Sequence, residues 1–138
     1  MKGLTIEQLK VDQIEIFRKT ISESDVYTFA GITGDMNPAH IDEIYASSTK
    51  FGKRIVHGLL VSSFISTVLG TKLPGPGTIY VSQSLNFKAP VYIGDTIEAR
   101  VTVKEIIKEK NRVILLTEVY NQKNELVLTG EAMVLAPK

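Results

Sequence analysis

Two residues within one short stretch, Asp35 and His40, could move protons. They lie in Gly34-Asp35-Met36-Asn37-Pro38-Ala39-His40-Ile41-Asp42, five positions apart. A helix would turn positions five apart away from each other by more than about 100°. Pro38 also biases Asn37 towards extended backbone. The shape of a loop must therefore decide whether the carboxylate and the imidazole converge. If they do, they can share one water, one group accepting a proton while the other positions or donates. The competing reading is plain turn chemistry. Asp, Asn and Pro after Gly are ordinary turn formers, and Asn37 can cap a following helix. On residue types alone the turn is the commoner case. Two facts favour the site: the chain has only two histidines, His40 and His57, and each precedes a predicted helix. Asp with His is also the pairing that acid–base work near neutral pH requires.

The elements that must position this loop follow from local signals. Gln13–Thr20 carries Ile14, Ile16 and Phe17 and reads as a short strand. Ser22 and Asp25 form a capping-box variant opening a helix, with Val26, Phe29, Ala30 and Thr33 at helical spacing. Gly34 can end that helix in a left-handed conformation. A short helical piece is expected around Asp42–Ser48, followed by a basic turn, Lys50-Phe51-Gly52-Lys53-Arg54. From Leu59 to Leu69 apolar residues fall on nearly all sides of a long helix, the pattern of a buried element. Pro74-Gly75-Pro76-Gly77 breaks it, and everything beyond reads as alternating strands: Tyr80–Phe87, Thr96–Lys104, Val113–Tyr120 and Leu126–Leu135. Asn121-Gln122-Lys123-Asn124 turns the last two into a hairpin. The residues before Asp12 read as a polar lead-in on the surface. A buried helix followed by long antiparallel strands predicts an α+β chain of the hot-dog kind, a curled sheet wrapped around its helix. A plain α+β sandwich is the rival. The expectation is one domain over residues 1–138.

Composition narrows the function classes. The 138 residues include 16 basic and 15 acidic side chains, a net charge of +1 with no electrostatic footprint for nucleic acid or anionic membrane. There is no cysteine, hence no thiolate nucleophile and no Cys-based zinc site. No apolar run approaches the ~20 residues that span a bilayer, and Met1-Lys2-Gly3-Leu4-Thr5 lacks an apolar leader. A cytoplasmic protein is expected. Two histidines 17 positions apart with scattered acids are weak evidence for a metal. No phosphate-cradling Gly-Lys-Ser/Thr motif occurs, so no metal and no cofactor are expected.

At Asp35-x-Asn37-Pro38-x-His40-x-Asp42 the chain resembles the hydratase signature of the MaoC-like dehydratase family, which includes (R)-specific enoyl-CoA hydratases. The resemblance continues through Ile55-Val56-His57-Gly58, the apolar helix, Ser82–Val91, Gly94-Asp95 and Thr129–Ala132. The loop signature is the specific part. The resemblance implies that Asp35 and His40 are the catalytic pair, adding water across the C2–C3 bond of a trans-2-enoyl thioester to give the (R)-3-hydroxyacyl product. It implies that the Gly58 N–H faces the thioester carbonyl and that Ser66 lines the site, with Asn37 at the substrate side of the loop. The physics agrees in kind. A helix amino terminus offers unpaired N–H donors to a developing enolate, and glycine permits close approach. By itself, though, Gly58 is more simply a tight turn, and Ser66 a serine bonding the preceding turn of its own helix. His57 reads mainly as a structural residue bonding the loop backbone near the helix start. Lys50, Lys53 and Arg54 read as a solvated turn or as contacts to the phosphates of the carrier. Rival functions are a 3-hydroxyacyl-acyl carrier protein dehydratase, a hot-dog thioesterase and a non-catalytic acyl-thioester binding subunit. The expected partners are an acyl-CoA or acyl carrier protein thioester and a second copy of the chain. A homodimer is expected because the exposed edge of an open curled sheet must be paired or covered.

Overall fold

The computed structural model describes residues 1–138. Its elements are β1 (Ile14–Thr20), α1 (Glu23–Thr33), α2 (Pro38–Ile41), α3 (Glu43–Ser47), α4 (Gly58–Thr71), β2 (Ile79–Gln83), β3 (Asn86–Phe87), β4 (Thr96–Ile107), β5 (Arg112–Tyr120) and β6 (Leu126–Leu135). All strand pairs are antiparallel. The sheet runs β1-β4-β5-β6-β2, with β3 also on β6. On its concave face α4 packs across β4, β1 and β5. This is the hot-dog arrangement, with an antiparallel sheet curled against its helix.

The core follows from two periodicities. In β4, Ile97, Ala99, Val101 and Val103 are buried in alternation, as are Val113, Leu115, Thr117 and Val119 in β5. Against them α4 buries Leu60, Val61, Phe64, Ile65, Val68 and Leu69. The helix is not enclosed all round, however. Leu59, Ser63, Ser66 and Gly70 are exposed, so one stripe of α4 faces outward. The sequence overstated its burial because small residues on that stripe dilute polarity without filling a core.

Two further expectations are corrected. The first dozen residues are not only a surface lead-in: Ile6 and Leu9 are buried in the main core. The run Tyr80–Phe87 is not one strand with a buried face. It is broken between β2 and β3, with a register shift between Tyr80 and Ser82, and β2 buries no residue. At Gly130 a side chain would collide with the Ser84 backbone, so the crossing segment sits hard against β6. No helix is long and apolar enough to cross a membrane.

Candidate active site

The loop that carries Asp35 and His40 is built from local caps in sequence. Ser22 and Asp25 close the capping box on α1 with reciprocal bonds. Gly34 ends α1 at φ +80, the left-handed conformation that glycine adopts without strain. The Asp35 Oδ1 accepts from the Asn37 N–H at 3.2 Å, and Asn37 Oδ1 accepts from the Ala39 N–H at 3.0 Å. Pro38 sits at the first turn of α2, where its missing N–H costs nothing. Asp42 then caps α3 through the Tyr45 N–H. These turns place Asp35 on a loop and His40 on a single helical turn facing inward.

Long-range contacts fix what the loop cannot. The Ile55 N–H donates to the Ala39 carbonyl at 3.1 Å. The Ile55 carbonyl in return accepts from His40 Nδ1 at 2.7 Å. A carbonyl only accepts, so Nδ1 carries the hydrogen and the other ring nitrogen, Nε2, is left as the acceptor. Burial pushes the His40 imidazole below its ordinary value; the Ile55 bond and Asp35 oppose this, and His57 adds to it. Residue 55 is itself held by a bridge to Tyr92, and the Val56 N–H donates to the Val91 carbonyl at 2.7 Å.

His57 sits immediately before α4 and is buried. Its Nε2 donates to the Asp35 carbonyl at 3.1 Å. Its ring stacks on His40 with centroids 3.8 Å apart and lies against Phe29 at 4.8 Å. Its Nδ1 is buried without a protein partner, an arrangement that costs about 1–3 kcal/mol. One carboxylate oxygen of Asp35 and one ring nitrogen from each of His40 and His57 lie within 4.8 Å of one another. Two of the four ring nitrogens are committed to carbonyls, and stacked rings direct their remaining lone pairs along near-parallel planes.

These residues line a cavity of about 560 Å³, together with Gly58. Val56, Val61, Val91, Val127 and Leu128 supply apolar wall, and Lys50 and Lys88 also line it. Gly58 opens α4, so its N–H belongs to the first turn, whose donors lack helical partners. A Cβ there would lie 2.7 Å from the Phe87 ring. A larger residue at position 58 would therefore have to displace the exposed Phe87 ring that lies over the helix start.

The structure thus brings together Asp35, His40 and Gly58. It does not bring Asn37 or Ser66 to the cavity wall: Asn37 caps α2, and Ser66 lies on the exposed stripe of α4. The basic turn divides. Arg54 is engaged by Glu23 at 2.9 Å and Glu43 at 2.8 Å. Lys53 lies over the Tyr92 ring at 4.5 Å. Only Lys50 of the three faces the cavity. Sequence reasoning missed Phe51, Phe87 and Lys88, whose alternation in strand and turn gave no sign that they face a site.

Known proteins share this architecture. The family described as MaoC like domain matches residues 8–125. A 3-hydroxybutyryl-CoA dehydratase from Methylorubrum extorquens is 51% identical over 138 residues, all of this chain and 87% of the relative. An (R)-specific enoyl-CoA hydratase from Rhodospirillum rubrum is 53% identical over 131 residues, 95% of this chain and 90% of the relative. The solved structure of an (R)-hydratase from A. caviae superposes with a TM-score of 0.93 at 40% identity, over 95% of this chain and 99% of that one. The signature loop, the fold and these likenesses agree: the chain belongs to the MaoC-like domain family.

Proposed function

We propose that this protein is an (R)-specific enoyl-CoA hydratase, a hydro-lyase that adds water across trans-2-enoyl-CoA and runs in reverse as a dehydratase. The observation that carries the reading is the meeting of Asp35, His40 and the first turn of α4 on the wall of one apolar cavity. The relatives named for this reaction in both directions support it.

The geometry supports a role for each residue. The thioester carbonyl takes the Gly58 N–H, where the helix terminus stabilises the negative charge of the developing enolate. His40 Nε2, the acceptor nitrogen, takes a proton from the water as its oxygen bonds to C3. The imidazolium then returns that proton to C2, so the water is added whole and His40 is restored. The Asp35 carboxylate accepts the second O–H of the same water and steadies the transient imidazolium. Since water, Asp35 and His40 sit on one side of an anchored substrate, only one face of C3 is attacked. Lys50 and Lys88 meet the phosphates of the carrier by charge.

The protein acts as a homodimer in this reading. Edge strand β2 presents Ile79, Tyr80 and Val81 to solvent, and an open hydrophobic edge of this kind needs a partner.

Crotonyl-CoA separates the rivals. Hydration removes the conjugated enoyl absorbance without free thiol; a thioesterase releases thiol; a binding subunit does neither. Thiol release, or no change, contradicts the proposal. The same assay with crotonyl on acyl carrier protein decides the carrier, and a strong preference for the protein-bound substrate favours the dehydratase alternative.

A further inference from the structure

His57 touches each part of the site without the role of any of them. It is buried, donates from Nε2 to the Asp35 carbonyl at 3.1 Å, and stacks on the His40 ring at 3.8 Å with 27° between planes. It also directly precedes Gly58 at the start of α4. Phe29 of α1 closes its other side. The carbonyl it holds belongs to Asp35, which lines the cavity, and the ring it supports is that of His40, whose Nε2 is left as an acceptor.

We propose that His57 is a positioning residue that acts through both members of the pair: its Nε2–H holds the Asp35 backbone while its ring is the platform that sets the plane of His40. This rests on the hydratase reading for its kinetic consequence only. A carbonyl partner commits Nε2 to carry hydrogen, so the bond to Asp35 stands only with His57 in that tautomer. The Ile55 carbonyl holds His40 as Nδ1–H for as long as the His40 ring keeps the plane that aims Nδ1 at it, the plane the His57 platform sets. Two stacked imidazoles with fixed, opposite tautomers leave two acceptor nitrogens, of which His57 Nδ1 is buried without a partner and His40 Nε2 is the one left for the water. A second positive charge 3.8 Å away would oppose protonation of His40. The charged or titratable groups facing His40 are Asp35 from the loop, His57 from the start of α4, and Lys50 and Lys88 along the cavity; Phe29 brings none.

The test uses the whole chain labelled with 15N at histidine. With only two histidines present, His57→Gln leaves one imidazole, whose ring-nitrogen shifts report tautomer and protonation without substrate. Gln retains an N–H at similar reach and lacks the flat ring. In the unaltered protein, His40 is expected as Nδ1–H and His57 as Nε2–H. In His57→Gln, His40 is expected to lose its single tautomer and titrate at higher pH. With crotonyl-CoA, kcat is expected to fall about 10²-fold, the scale of a misplaced reacting group, with KM little changed. His57→Phe keeps the platform and loses the donor. There, His40 is expected to keep its tautomer while kcat still falls through Asp35. An unchanged tautomer and titration of His40 in a folded His57→Gln overturns the proposal, as does a loss confined to KM. If His57→Gln does not fold, unchanged kcat in His57→Phe overturns it and a kcat loss with the His40 tautomer kept supports it. Failure of the unaltered protein to hydrate crotonyl-CoA refutes the hydratase reading while the NMR comparison still decides the role of His57.

Discussion

At the scale of single residues, the account turns on which nitrogen of His40 is free. The Ile55 carbonyl takes Nδ1–H at 2.7 Å, which is why we propose His40 as the base and Asp35 as the group that aligns the water. Asp35→Asn and His40→Ala should each cut kcat by about 10²–10⁴-fold while the circular dichroism spectrum is retained. Because the two act on one water, the double variant should lose little more than either single one. Multiplicative losses would mean that they serve separate steps. The pH dependence follows from burial. In the proposed mechanism His40 acts as the unprotonated base, and burial pushes its imidazole below the ordinary 6.5. The acid limb of kcat/KM should therefore fall below that value, with activity present above it and lost as pH drops through the His40 midpoint. A limb at or above 6.5 would contradict the buried, neutral His40. The pair itself was legible in the sequence because Asp-x-Asn-Pro-x-His is local. The tautomer was not, since it depends on a carbonyl fifteen positions further on.

At the scale of elements, the short helices were legible and the long one only half so. The capping box at Ser22 and the left-handed Gly34 are both decided within four residues, which is why residue order foretold them. The outward stripe of α4 was not foretold, because which side of an apolar helix faces a sheet depends on strands that follow it. The basic turn shows the same limit. Arg54 reads in sequence as part of a solvated turn or as a phosphate contact, yet it ties α1 to α3 through Glu23, Glu43 and the Tyr27 hydroxyl, which accepts from it at 2.8 Å. It thereby clamps the two ends of the segment carrying Asp35 and His40. Arg54→Met should lower stability by about 1–2 kcal/mol, more than one exposed pair and less than a buried one, read from the denaturant midpoint. A variant as stable as the parent would show that the network is decorative.

At the scale of the whole molecule, the curled sheet leaves its β2 edge open and α4 shows a strip of small residues with Leu59 at its head. Light scattering should give a mass about twice 15.2 kDa; a stable, active monomer would remove the dimer from the account. The fold class was legible because strand alternation and the helix run are long. The edge was misjudged because β2 alternates in type while neither face meets a core within one chain.

The central claim is that one water, held on one side of an anchored enoyl thioester by Asp35 and His40, is added to C3. The most direct measurement is to hydrate crotonyl-CoA and resolve the product with an enantiomer-specific 3-hydroxyacyl-CoA dehydrogenase. The account predicts (R)-3-hydroxybutyryl-CoA almost alone, whereas a predominantly (S) product, or a racemate formed at the enzymic rate, would contradict it.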